Sequence, residues 1–205
     1  MVKFGEIERV VFSQFNPVLL LPPITSPLTS PFPIELPNAG TINLALVNIR
    51  SEHDRDGVLL SAVVNWSATF TPPTPTAVLN VPGFADVTFE LLRNGVVIYR
   101  VDQTAVQKGV PLVQPTFPFT TVSTFEIASL LHFDFRLPGF DFTPPLCLQE
   151  FNVYTLRATN IALVPPQVAT GTATTTAAVG AATLVAEKVE AHRSDPADAA
   201  CKTSD

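Results

Sequence analysis

The stretch GVLLSAVVNWSATF at residues 57–70 constrains the fold more than any other part of the chain. Every even position from Val58 to Phe70 is apolar, whereas four of the six odd positions between 59 and 69 are polar. Alternation with a period of two is typical of a β-strand that has one face in a core. A membrane helix is excluded, because a helix would bring Ser61 and Asn65 to the same side as the apolar residues. We therefore predict a strand whose even positions, Trp66 among them, point into the core.

The composition also argues against a helical protein. Twenty of the 205 residues are proline, about twice average usage, and helices tolerate proline poorly beyond their first turn. Fifteen Phe stand against one Trp and two Tyr, which indicates aromatic packing rather than polar aromatic surfaces. The length suits one domain with an appended arm.

Further strands are predicted along the chain, with turn residues between them. They cover residues 41–50, 86–92, 96–101, 123–137, 150–164 and 169–190. We expect 41–50 to form a hairpin with 57–70 through the acidic turn SEHDRDG. For 177–190 a helix remains an alternative, because AATLVAEKVEA contains good helix formers, although the preceding Thr run favours a strand. Gly171 and Gly180 are expected to mark bulges or bends.

The sharpest turn signal is Asn94-Gly95, the dipeptide typical of a two-residue hairpin turn. A turn of two residues there is expected to place Leu91 opposite Ile98 and Glu90 opposite Tyr99.

The end of the 123–137 strand alternates between aromatic and polar residues. This pattern predicts Phe133, Phe135 and Leu137 inward and His132, Asp134 and Arg136 outward.

About seven strands with proline-rich turns predict an all-β fold, an antiparallel jelly roll or β-sandwich. We divide the chain into an extended proline-rich N-terminal arm (1–38), a β-domain (39–190) and a polar C-terminal tail (191–205).

The arm is rich in proline but not polar, which sets it apart from an ordinary linker. Its proline spacing forbids a helix or a central strand, while its large apolar side chains would each cost about 1.5–3 kcal/mol to leave in water. We therefore expect it to lie on its own domain or on a neighbouring subunit. The predicted subunit interface comprises Val10, Val11, Phe12, Phe15, Val18, Leu19, Leu20, Leu21, Ile24, Leu28, Phe32 and Ile34.

No stretch of the sequence carries a recognisable catalytic, cofactor-binding or metal-binding motif. SEHDRDG has the oxygen ligands of a calcium site, but it lacks the EF-hand spacing and is interpreted as a solvated loop. His132 and Asp134 on one strand face could be half of an acid–base pair, and we interpret them as exposed surface polarity. The sequon Asn65-Trp66-Ser67 lies inside a strand and is treated as chance. We expect a protein that is not an enzyme and has no cofactor.

Charge and cysteine usage bear on partners. The net charge is −6 and the twelve Lys and Arg are scattered, which argues against nucleic acid as a partner. No apolar run approaches a membrane span or a secretory leader, so we expect no membrane partner and a chain that starts in a cytoplasm or lacks its leader. Of the two cysteines, Cys147 is interpreted as buried and Cys201 as a candidate for an intermolecular disulfide.

Several segments carry a family resemblance: the proline-rich apolar arm, TINLALVNIR, ADVTFELLRNGVVIYRV, and the closing pair FNVYTLRATNIAL and ATGTATTTAAVGAATLVAEKV. Over residues 40–190 they resemble the small jelly-roll proteins of the spore surface in endospore-forming bacteria, including endospore-appendage subunits and exosporium proteins. The resemblance implies a jelly roll and deposition from the mother-cell cytoplasm without a signal peptide. Many appendage proteins have cysteine-rich arms, whereas this arm has none, which leaves Cys201 for lateral linkage.

These observations predict a structural subunit of a cell- or spore-surface fibre or layer. Its expected partner is another copy of itself, with other surface-layer proteins as further candidates. The expected mechanism is docking of the arm on the next subunit in the manner of strand addition, with VKFGEIERVVFSQF as the added strand. Two alternatives stay open: a carbohydrate- or receptor-binding module, for which Phe117, Phe119, Phe140 and Phe142 are the candidate contacts, and a viral capsid-type jelly roll.

Overall fold

The fold is all-β. The computed structural model describes residues 7–14, 33–51, 57–74, 77–108, 120–135 and 150–189, and within these ranges every regular element is a strand. The strands are β1 (Ile7–Gln14), β2 (Ile34–Glu35), β3 (Ile42–Ser51), β4 (Gly57–Thr71), β5 (Leu79–Val81), β6 (Phe84–Arg93), β7 (Val96–Val106), β8 (Val122–Phe135), β9 (Glu150–Val164), β10 (Gln167–Val168) and β11 (Thr174–Val189).

Two antiparallel sheets form a sandwich. Sheet 1 has the order β1-β11-β4-β8, with the short β2 also on β11, and sheet 2 has the order β3-β9-β6-β7. When the eight long strands are lettered B to I in chain order, these orders read B-I-D-G and C-H-E-F, which is the strand order of a jelly roll. The predicted fold class is therefore confirmed.

The core lies between the two sheets and follows the alternation of β4. All even positions of this strand from Val58 to Phe70 are buried, as predicted. Trp66 packs edge-on against Phe89 of sheet 2, with 6.1 Å between the ring centroids. Burying large aromatic and aliphatic side chains from both sheets removes apolar area from water, and this burial holds the layers together.

The Asn94-Gly95 turn forms as predicted, but the register beyond it differs. Asn94 and Gly95 both have positive φ, 49° and 83°, as a two-residue hairpin turn requires. Tyr99 faces Leu91, and Glu90 faces Arg100, because the register shifts between Leu91 and Leu92. The predicted pairs, Leu91 with Ile98 and Glu90 with Tyr99, are therefore wrong by the one residue that this bulge inserts.

The predicted hairpin between residues 41–50 and 57–70 is wrong. β3 pairs with β9 in sheet 2, whereas β4 pairs with β11 and β8 in sheet 1. The two strands instead belong to opposite sheets, and both contribute to the core between them, where Leu44 and Leu60 are fully buried. Two successive strands show the same alternation of apolar and polar residues whether they pair in one sheet or lie in opposite sheets. The alternation therefore does not distinguish the two arrangements.

The side chains of β8 point the opposite way from the sequence prediction. Phe133 and Phe135 lie on the outer face, while Asp134 is buried and His132 is half-buried on the inner face. The register with β4, in which Val58 pairs with Asp134, sets this orientation. Asp134 can point inward because groups of sheet 2 bind its carboxylate. Arg136 and Leu137 lie outside the described residues.

The sequence left a strand or a helix open for residues 177–190, and residues 177–189 form part of strand β11. β11 pairs along its length with β4 and has a register shift between Val179 and Ala181, at Gly180. Gly171, in the bend before β11, has φ +83°. Both glycines lie where a bulge or bend was expected.

Candidate functional site

The best-organised polar group of the described residues joins the two sheets at one end of the sandwich. Arg93 Nη1 of β6 donates to both carboxylate oxygens of Asp134 on β8, at 2.9 and 3.0 Å. The Tyr154 hydroxyl of β9 donates to Asp134 Oδ2 at 2.8 Å. Both carboxylate oxygens therefore have partners, and the arrangement stabilises the contact between the sheets.

His132 and Asp134 share the inner face of β8, as the acid–base interpretation requires, but their partners differ. His132 stacks on Tyr99 with 5.3 Å between the ring centroids, while Asp134 binds Arg93 and Tyr154. The interpretation of Asp134 as exposed polarity is wrong, because this residue is buried. Its geometry is that of a structural inter-sheet ion pair.

The outer face of sheet 2 is charged and internally paired. Thr88 and Thr104 donate to Asp102 and Asp86, each at 2.6 Å. Arg157 donates to Glu90 Oε2 through Nε and Nη2, at 3.0 and 2.6 Å. Paired charges of this kind are typical of a face in contact with water.

The outer face of sheet 1 is almost uncharged, in contrast to that of sheet 2. The outward positions of β4, β8 and β11 carry a single charged residue, Glu187. The large apolar residues concentrate on β8, where Phe125 is 76% exposed and Ile127 and Leu131 are each 65% exposed. We call the five exposed apolar residues of this strand the β8 stripe; they are Phe125, Ile127, Leu131, Phe133 and Phe135.

The β8 stripe fills every outward position from Phe125 to Phe135 except that of Ser129. Phe133 and Phe135 stack with 6.0 Å between their ring centroids, and a Cβ added to Gly57 on the neighbouring strand would overlap the Phe133 ring. The five residues are 45–76% exposed, and a cluster of exposed large apolar residues is typical of an interaction surface.

The β8 stripe is the feature that sequence analysis missed. The aromatic contacts proposed from the sequence, Phe117, Phe119, Phe140 and Phe142, lie outside the described residues. The sequence does contain a signal for the stripe: large apolar residues occupy the odd positions 125, 127 and 131, and apolar residues also occupy the even positions 128 and 130. Odd and even positions of a strand lie on opposite faces, and a strand that is apolar on both faces is typically covered on both faces.

Some of the predicted interface residues of the arm lie in β1 or β2, and the others lie outside the described residues. Val10, Val11 and Phe12 lie in β1, which pairs with β11 of the same chain opposite Glu187, Ala186 and Val185. Ile34 lies in β2, opposite Val179 of β11. The remaining predicted residues lie outside the described residues: Phe15, Val18, Leu19, Leu20, Leu21, Ile24, Leu28 and Phe32, with Cys147 and Cys201 likewise.

The pairing of β1 changes the interpretation of the arm. Ile7–Gln14 already fills an edge position in its own sheet, so its expected role as a strand added to a neighbour requires leaving that position. β2 continues along the same edge of β11: Gln14 faces Thr183 and Ile34 faces Val179. The two pairings are four positions apart on β11. We call residues 15–32 the proline segment; it contains no charged residue.

A shallow cleft of about 320 Å³ lies at the other end of the sandwich. Pro72, Pro73, Thr74, Thr120 and Thr121 line it. These residues offer hydroxyl groups but no acid, base or cation for chemistry.

The described residues contain neither a metal-binding cluster nor a membrane-spanning helix. Across the six described ranges, no group of three or more His, Cys, Asp or Glu is placed to hold a metal ion. The part of the chain that the structure covers also contains no helix of the length and apolarity needed to cross a membrane.

Comparison with known proteins adds no family. No protein-family model matches the chain, and no curated protein matches it significantly in sequence.

Proposed function

We propose that the protein is a structural subunit that assembles with copies of itself into a fibre or layer at a cell or spore surface. Its assembly element is the N-terminal arm, which docks on a neighbouring subunit. The surface location rests on the family resemblance, while the assembly rests on the surface chemistry of the jelly roll.

One observation carries the proposal: sheet 1 exposes an uncharged apolar stripe on β8, and the two strands that flank the uncharged proline segment pair along the other edge of this sheet. Each surface costs free energy in water and gains it on burial. A chain that carries both surfaces on opposite edges of one sheet is suited to repeated contacts between copies.

The asymmetry between the two outer faces supports an interface rather than a solvated surface. The outer face of sheet 2 pairs its charges, as with Glu90 and Arg157, while that of sheet 1 offers no such pairs on β4 and β8. The two outer faces therefore differ in charge, although sheet 2 also exposes Leu46 and Phe151.

Electron microscopy of the purified full-length chain tests the proposal. The variant replaces residues 15–32 with a Gly/Ser sequence of equal length. It retains β1 and β2, which pair with β11, so that the edge of sheet 1 is preserved. A chain with residues 191–205 deleted serves as the control. We expect polymers from the full chain and from the control, and folded monomers from the Gly/Ser variant. Monomers from the full chain under all assembly conditions would refute the function.

A further inference from the structure

We infer that the β8 stripe is the surface that receives the proline segment of a second copy. The inference rests on the proposed function and specifies its docking surface. The occupant is thus a defined segment of this same chain, and the contact joins opposite edges of sheet 1 in successive copies.

The first argument is chemical. The stripe residues on β8 have no charged neighbour on β4, whose outward residues from Leu59 to Thr69 are Leu, Val, Ser, Asn and Thr. The proline segment, FNPVLLLPPITSPLTSPF, is also uncharged and supplies four aliphatic residues in a row at 18–21. Contact between two such surfaces buries no unpaired charge and removes apolar area from water on both sides.

The second argument concerns where the segment is attached. Its two ends lie close together on β11, at Gln14 opposite Thr183 and at Ile34 opposite Val179. The 18 residues of the proline segment have a contour length of about 56 Å at about 3.1 Å per residue, the rise of the extended conformation that proline favours, so none of them can lie more than about 28 Å from the edge.

The attachment points fix where the segment begins and ends relative to the stripe. Through β4, the two attachment points are level with Glu126 and Ser129 of β8. Phe135, the far end of the stripe, lies three strand spacings across the sheet, about 14 Å, and six residues along β8, about 20 Å. The segment is long enough to span this distance, so docking on a second copy, rather than on the same chain, follows from the proposed function.

A contact between two copies shortens the path from the attachment points to the stripe. When the β8 edge of one copy faces the β1 edge of the next, the segment crosses no strand of the receiving sheet. Because the donating edge and the receiving edge are different surfaces, the contact is heterologous and leaves one donor and one acceptor free at the ends of any assembly.

Photo-cross-linking with isotope mixing tests the inference on the full-length chain. Leu20 is replaced by benzoylphenylalanine, and nitrogen-15-labelled and unlabelled copies are mixed as monomers before assembly. The same photoreactive residue at Thr104, on the outer face of sheet 2, is the control position. Electron microscopy of each mixture establishes whether polymers form.

The expected result is cross-linked peptides that join position 20 of one isotope population to residues 125–135 of the other, in the proportion given by random mixing. Cross-links confined to one isotope would show that the segment covers its own chain and would overturn the inference. Mixed cross-links to other strands, in intact polymers, would overturn the docking surface and leave the proposed function standing. The absence of polymers would overturn the proposed function itself.

Discussion

Arg93 and Asp134 join the two sheets of the sandwich through a carboxylate that accepts two hydrogen bonds from one guanidinium nitrogen, at 2.9 and 3.0 Å. Asp134 also accepts the buried hydroxyl of Tyr154, at 2.8 Å. β6 and β9 belong to sheet 2 and β8 to sheet 1, so one acidic side chain connects three strands. Both carboxylate oxygens of Asp134 accept hydrogen bonds, and these bonds offset the free-energy cost of burying the carboxylate.

Replacement of Asp134 by alanine should lower the free energy of unfolding by about 2–4 kcal/mol, because it removes the buried carboxylate that accepts hydrogen bonds from the Tyr154 hydroxyl and the Arg93 guanidinium. Denaturant unfolding, followed by the fluorescence of Trp66, measures this change; Trp66 is the single tryptophan and is buried. The control is Lys108→Ala, which breaks the exposed ion pair with Glu126 and should cost about 0.5 kcal/mol or less. Equal losses in the two variants would contradict the structural role of Asp134.

Two substitutions in the Asn94-Gly95 turn test the effects of backbone strain and of hydrogen bonding on stability separately. Gly95→Ala should cost about 1–2 kcal/mol through its positive φ alone, since a Cβ added there contacts nothing within 4 Å. Asn94→Gly keeps the allowed conformation but removes two bonds: Asn94 Oδ1 accepts from the Val153 N–H at 2.8 Å, and Asn94 Nδ2 donates to Asn152 Oδ1 at 3.1 Å. We expect a loss of about 1–3 kcal/mol there. Thermal or denaturant unfolding measures both, and a neutral Asn94→Gly would show that these bonds contribute nothing to stability.

The β8 stripe should be required for assembly but not for folding. Leu131→Lys places a charge in the stripe and should abolish polymers, because docking would bury an unpaired ammonium group. The matched control is Leu46→Lys on β3 of sheet 2, where Leu46 is also exposed. Both variants should unfold within about 0.5 kcal/mol of the parent, as exposed substitutions usually do. Sedimentation measures assembly; polymers from both variants would rule out the stripe as the receiving surface.

We predict that Cys201 forms an intermolecular disulfide in the oxidised assembly. Non-reducing electrophoresis of oxidised polymers should then show disulfide-linked dimers of the parent and of Cys147→Ser, and monomers of Cys201→Ser. Reduction should return every sample to monomers, since a disulfide is the only covalent link expected. Dimers that persist in Cys201→Ser would assign the link to Cys147 instead.

Much of the fold could be predicted from local patterns. The alternation of residues 57–70 predicted a strand and its buried face because polar residues occupy most odd positions. The Asn94-Gly95 pair predicted the tightest hairpin turn because few other residues adopt positive φ readily. The Thr-rich start of β11 predicted a strand where the later residues alone permitted a helix.

Other features depend on partners distant in sequence, and local patterns do not reveal them. β8 carries apolar residues on both faces, such as Leu130 inward and Leu131 outward, so its orientation had to come from its register with β4. Asp134 points inward because Arg93 and Tyr154 meet it there, and nothing adjacent to it in the sequence indicates either partner. The same reason explains why the exposed stripe was missed: an apolar residue was assigned to the core by default.

Mixing two assembly-deficient variants tests the central claim most directly. Leu131→Lys retains a proline segment but has a defective stripe, while the Gly/Ser replacement of residues 15–32 retains the stripe but has no segment to donate. Each variant alone should sediment as a monomer. Their mixture should form a complex of one copy of each and grow no further, since a heterologous contact leaves only defective surfaces at its ends. A mixture that remains monomeric while the parent chain polymerises, or polymers from either variant alone, would contradict docking of the segment on the β8 stripe of a second copy.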